Sequence, residues 1–104
     1  MAFFLIYVTH PDEPTARKIS DQLLAERHIA CSNIFPAASS FWWKNEIAHD
    51  AEFVSILKTT IENWAAVERR VLEMHPYEIP CLVKMEVSAN AAYENWILES
   101  VATV

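Results

Sequence analysis

Ile29-Ala30-Cys31-Ser32-Asn33-Ile34-Phe35-Pro36-Ala37-Ala38-Ser39-Ser40-Phe41-Trp42-Trp43-Lys44-Asn45-Glu46-Ile47-Ala48-His49-Asp50-Ala51-Glu52-Phe53-Val54-Ser55-Ile56-Leu57-Lys58-Thr59 holds two extended segments in a row, with no helical pattern between them. Ile29 to Phe35 reads as a strand that continues, extended but interrupted, through Trp43. A proline at position 36 implies an edge position or a bulge there. The chain has no glycine, so a tight reversal falls to residues that tolerate positive φ. Lys44-Asn45 meets that need, with asparagine the tolerant member, and reads as a hairpin turn. Ile47 to Thr59 then returns as a long strand.

Working outward, a helix flanks this pair on each side. Before it, Ala16, Ile19, Leu23 and Leu24 recur at helical spacing while Arg17, Lys18, Asp21 and Glu26 face away. Asp12 or Thr9 caps that helix, Glu13 and Pro14 suit its first turn, and it ends near Arg27-His28. Earlier still, Phe3 to Val8 is an apolar run that reads as a buried strand. On the C-terminal side, Thr59 or Thr60 caps a helix whose apolar stripe is Ile61, Trp64, Val67, Val71 and Leu72. Leu82 to Val87 gives a fourth strand, and Ser88-Ala89-Asn90 opens a terminal helix carrying Tyr93, Trp96 and Ile97. The order strand, helix, strand, strand, helix, strand, helix predicts an α+β, ferredoxin-like split βαβ fold. Its antiparallel sheet would carry both main helices on one face. Residues 1–104 form a single expected domain.

Composition narrows the function. A net charge of −6 with only eight basic residues provides no stripe to neutralise phosphates, so neither nucleic acid nor membrane is an expected partner. Two cysteines, Cys31 and Cys81, make no disulfide framework or CxxC pair and read as small buried residues. The N-terminal apolar run lacks the basic start and cleavage site of a signal peptide and is too short to cross a bilayer. A cytoplasmic protein is therefore expected. Neighbouring aromatic residues of the hairpin, Phe41, Trp42 and Trp43, point to opposite faces of a strand and cannot all fold back on one sheet. They are the expected subunit contact, since exposed rings of that size are an aggregation liability in a monomer.

Met74-His75-Pro76-Tyr77-Glu78-Ile79-Pro80 is the chemically richest stretch. Its two prolines push His75 and Ile79 out of the helical region and hold an imidazole, a phenol and a carboxylate on a stiff connector. Glu52 and Lys58, six residues apart on the long strand, share one sheet face by its period of two. With Tyr77 and Glu78 they form a candidate cleft for a small anionic ligand. No nucleophile elbow, glycine-based phosphate loop or cofactor fingerprint accompanies these residues, so an enzyme and an organic cofactor are not expected.

The chain resembles the CutA divalent-cation tolerance family over nearly its whole length. The resemblance rests on Val8-Thr9-His10-Pro11-Asp12 leading into Ala16, Ile29-Ala30-Cys31-Ser32-Asn33, Trp43 at the hairpin, Glu52 with Leu57-Lys58-Thr59, His75 to Pro80, and Tyr93-Glu94-Asn95-Trp96. It implies a fold related to the PII signalling proteins, assembled as a homotrimer whose strands join edge to edge around the threefold axis. It also implies a role in tolerance of divalent metals, copper foremost, and some members bind copper. For a copper site, His75 and Met74 offer imidazole and thioether, with His10 or Cys31 to complete it. The alternative is a PII-like sensor whose inter-subunit cleft takes a small anionic metabolite. Three departures stand out. Asn45 replaces a glycine, the strand between Ser40 and Trp43 reads one residue short, and the cysteine and second histidine of some relatives are Val8 and Met74 here.

Overall fold

The computed structural model describes residues 2–102. Four strands, β1 (Phe3–His10), β2 (Cys31–Trp43), β3 (Glu46–Thr59) and β4 (Leu82–Val87), form one sheet in the order β2-β3-β1-β4 with every pair antiparallel. Helix α1 (Glu13–Ala25) joins β1 to β2, and α2 (Trp64–Met74), entered through a 3-10 turn at Ile61–Asn63, joins β3 to β4. Helix α3 (Ala91–Ser100) follows β4. This is the expected ferredoxin-like topology.

The central strand β1 explains itself. Alternation sends Phe4, Ile6 and Val8 to one face, where they pack with Ile19 and Leu23 of α1, Val67 and Val71 of α2, and Ile29 and Leu57. Phe3 and, in part, Leu5 turn to the other face, against Ile97 and Tyr93 of α3. A strand covered on both sides needs a continuous apolar run, and each fully buried aliphatic side chain contributes about 1.5–3 kcal/mol. Leu24 and Leu72, expected in the buried stripes, lie exposed instead, and both cysteines are half-buried and unpaired.

Local chemistry fixes the ends. Asp12, in extended conformation, caps α1 by accepting a hydrogen bond from the Thr15 amide at 2.8 Å. The helix closes on Arg27 at φ 62°, with His28 N–H bonding the Leu23 carbonyl and Arg27 N–H that of Leu24. That is the double closure usually built on glycine, here carried by arginine. No threonine side chain caps the turn into α2. Thr60 makes no such bond, and the Thr59 hydroxyl donates to the His28 carbonyl at 2.6 Å instead. Arg70 clasps Glu26 with contacts of 2.9 Å, tying the second helix to the end of the first.

The hairpin register runs without slip from Cys31↔Lys58 to Trp43↔Glu46, so the apparently short strand costs no pairing. Strand β2 is one unbroken element, and Pro36 sits in it because β2 lies at the sheet edge. Lys44 and Asn45 take φ 50° and 63°, the signature of a two-residue I′ turn. Beyond Phe53, which pairs with His10, β3 has no partner but β2. The remaining hairpin is thus a two-stranded ribbon, and it helps draw the molecule out to 45 × 24 × 20 Å. Replacing Asn45 by valine, whose branched side chain resists positive φ, should destabilise the protein by about 1–3 kcal/mol in denaturant unfolding. An unchanged midpoint would show that the turn geometry is not held in solution.

Candidate functional site

The sequence of the connector, residues 75–81, decides where its side chains go. Helix α2 stops at Met74, and His75 takes φ −77°, ψ 134°, as a residue before proline must. The chain then runs back across the end of β1, at Thr9, and the middle of β3, at Glu52. His75 is buried there, with Nε2 2.7 Å from the Thr9 carbonyl and Nδ1 3.2 Å from the Tyr77 amide. Its ring stacks on His10 at 5.3 Å, and the Tyr77 ring lies 4.8 Å away on a tilt. His10 is fully buried, with Nε2 2.8 Å from Ser55 Oγ. Burial first, and the neighbouring His75 second, push His10 down from 6.5 to about 4.

Tyr77 continues the chain of contacts by donating from its hydroxyl to Glu52 Oε2 at 2.6 Å. Only 7% of Glu52 is exposed, so this bond solvates a carboxylate that water scarcely reaches. Burial, then the Glu52 hydrogen bond, drive the Tyr77 phenol well above its ordinary value. Burial and Glu52 push the Cys81 thiol up in the same way. Outside this polar cluster lies a groove of about 890 Å³. The ribbon forms one wall with Phe41, Trp42, Trp43 and Asp50, and the connector forms the other with Tyr77, Glu78, Ile79 and Cys81.

Glu52, Tyr77 and Glu78, expected to share a cleft, line this groove together with Phe41, Trp42 and Trp43, which the sequence assigned to a subunit contact instead. Lys58 does not join them. Six residues along β3 it lies roughly 20 Å away, and its ammonium donates to Tyr93 Oη at 3.1 Å. That bond raises its pKa above the usual lysine value. Cys31 belongs to the same far group, with its sulfur 3.6 Å from Tyr93 Oη. The four-residue cleft expected within one chain is thus not formed.

Within one chain the donors expected for a metal are not gathered at one point. Both nitrogens of His75 are already engaged, Met74 packs against the core, and Cys31 lies at the far end of the sheet from His10. Among the described residues no three His, Cys, Asp or Glu side chains converge to hold a metal ion. The residue that sequence reasoning missed is Ser55. A serine two positions from Leu57 faces the same buried side, and a hydroxyl there must find a buried partner, which is His10.

With the fold and this geometry in place, the relatives are informative. The model of the CutA1 divalent ion tolerance protein family matches residues 4–100. A divalent-cation tolerance protein CutA from Thermotoga maritima is 41% identical over 98 residues, covering 93% of this chain and 97% of the relative. Its counterpart from Pyrococcus horikoshii is 36% identical over 96 residues, covering 91% and 94%. The structure of the periplasmic CutA from Archaeoglobus fulgidus superposes with a TM-score of 0.93 at 38% identity, covering 98% of this chain and all of that one. The class is that of small ferredoxin-like proteins with an extended hairpin. The chain belongs to the CutA1 divalent ion tolerance family.

One expectation is corrected by these relatives. The cytoplasmic assignment does not stand, because the Archaeoglobus fulgidus protein is described as periplasmic. The N-terminal apolar run on which that expectation leaned is strand β1, and a core strand carries no address. Among the described residues no helix is long and apolar enough to cross a membrane.

The Tyr77–Glu52 bond is open to a direct test. Tyr77→Phe leaves a buried carboxylate without its donor and should cost about 1–3 kcal/mol in denaturant unfolding. Glu52→Gln, whose amide oxygen still accepts from Tyr77, should cost less. Equal losses in the two variants would mean that the bond does not support Glu52.

Proposed function

We propose that this protein serves tolerance of divalent cations, copper foremost, as a homotrimer, without catalysis and without a metal cage inside one chain. Family membership supports the tolerance role, and relatives carry that name. The observation that supports assembly is the unsupported ribbon. A two-stranded ribbon is marginal by itself in water, yet this one bears Trp42 at 72% exposure and Ile47 at 60%. Across the groove Ile79 is 71% exposed. Edge strands β2 and β4 are open, and the free face of β4 shows Val83 and Met85.

A neighbouring copy seated against ribbon and connector would cover these surfaces at once. Each large ring so buried removes ~150–250 Å² from water. Direct copper binding by His75 is left out of the proposal because the lone pair a metal needs is committed to the Tyr77 amide. The metabolite-sensor reading is left out because Lys58 stands apart from Glu52 and Tyr77 within the chain.

The test uses sedimentation equilibrium together with growth of a strain lacking the protein under copper challenge. Wild type should run at three chain masses and restore growth. Trp43→Ala should melt lower, dissociate on dilution and restore growth less well. A monomeric wild type, or a dissociated variant that protects fully, would contradict the proposal.

A further inference from the structure

The stacked rings of His10 and His75 are held by partners that fix where each ring carries its hydrogen. For His75 the partners settle the matter. The Thr9 carbonyl only accepts, so Nε2 carries the hydrogen. The Tyr77 amide only donates, so Nδ1 presents its lone pair. A proton added at Nδ1 would set N–H against N–H and break the ring's bond to the connector. For His10, Nε2 meets Ser55, while Nδ1 is buried with no hydrogen-bond partner. An imidazolium there would bury a charged donor away from both water and acceptor.

We infer that the stacked His10–His75 pair is a latch operated by a proton at His10, which fastens the connector over the end of β1 and the middle of β3 and releases it in mildly acidic solution. The charged and titratable groups around it come from every neighbouring element. Asp12 at the head of α1 and Glu52 on β3 favour a charged His10, while burial and the His75 ring oppose it and prevail. Tyr77, from the connector, stays protonated beside Glu52. A released connector that opens His10 to water lets it take up a proton nearer its ordinary 6.5, whereas the closed state holds it down to about 4. Closure is fully favoured above that window and loses up to about tenfold per pH unit for each proton as pH falls through it. Release would draw Tyr77 from Glu52 and remove one wall of the groove, so the groove itself becomes pH-sensitive.

Amide hydrogen exchange on the full chain between pH 8 and 4, corrected for intrinsic rates, tests this. Protection at Tyr77 should fall between pH 6.5 and 4 while core amides of β1 and β3 stay protected. His10→Gln, which keeps a polar partner for Ser55 but cannot titrate, should move the loss to lower pH. Connector protection that survives to pH 4, or is lost together with the core, would overturn the latch. So would a His10→Gln protein with the wild-type response. Should that variant not fold, the wild-type contrast between connector and core decides alone.

Discussion

The hydrogen bond from His75 Nε2 to the Thr9 carbonyl, 2.7 Å long, closes the connector onto the central strand, and the groove exists because that closure holds. Prolines at 76 and 80 stiffen the segment but do not say where it rests. The imidazole does, reaching β1 with one nitrogen and steadying Tyr77 with the other. Tyr77 is then placed to serve Glu52, and Glu52 can remain buried at the root of the ribbon. Each step depends on the one before it, so a single neutral ring organises the end of the sheet.

A second constraint comes from the ribbon. The sheet is four strands wide only as far as the Val8–Leu82 pair and three wide to His10–Phe53, beyond which β2 and β3 run on alone. The body gains its stability from a core that β1 shares with three helices, whereas the ribbon has no layer above or below it. Its rings, and Ile79 across the groove, stay exposed in the single chain. The contrast between a body with its own core and an extension without one is what the proposed assembly rests on.

Much of this was legible in the sequence, for physical reasons that differ along the chain. Strand β1 announced itself because a strand covered on both faces must be apolar throughout. The hairpin turn was legible because a chain without glycine has few residues for positive φ, and Asn45 was one of them. Pro36 was correctly tied to an edge. Tyr77, Glu78 and Glu52, grouped in the sequence reading, line one groove because His75 seats the stiff connector against β1. Elsewhere the reading and the structure part for reasons that differ from place to place. Lys58 obeys the period of two with Glu52, but a shared face says nothing of distance along the strand. His75 and Met74 have the right donor atoms for copper, yet a ring's free lone pairs depend on backbone groups brought in from residues 9 and 77. Leu24 and Leu72 fit the helical stripe but sit at its margin, where the narrow sheet leaves them uncovered. Compartment was never encoded in the apolar run that suggested it.

The assignment of His75 as a clamp and not a ligand is the centre of this account, and ring nitrogen NMR at neutral pH tests it most directly. Long-range ¹H–¹⁵N spectra of the labelled protein should show Nε2 protonated and Nδ1 bare but hydrogen-bonded, unchanged by one equivalent of copper(I) or zinc(II) per chain. A ring protonated at Nδ1, or a ¹⁵N shift at either nitrogen on adding the metal, would contradict it and return His75 to the metal.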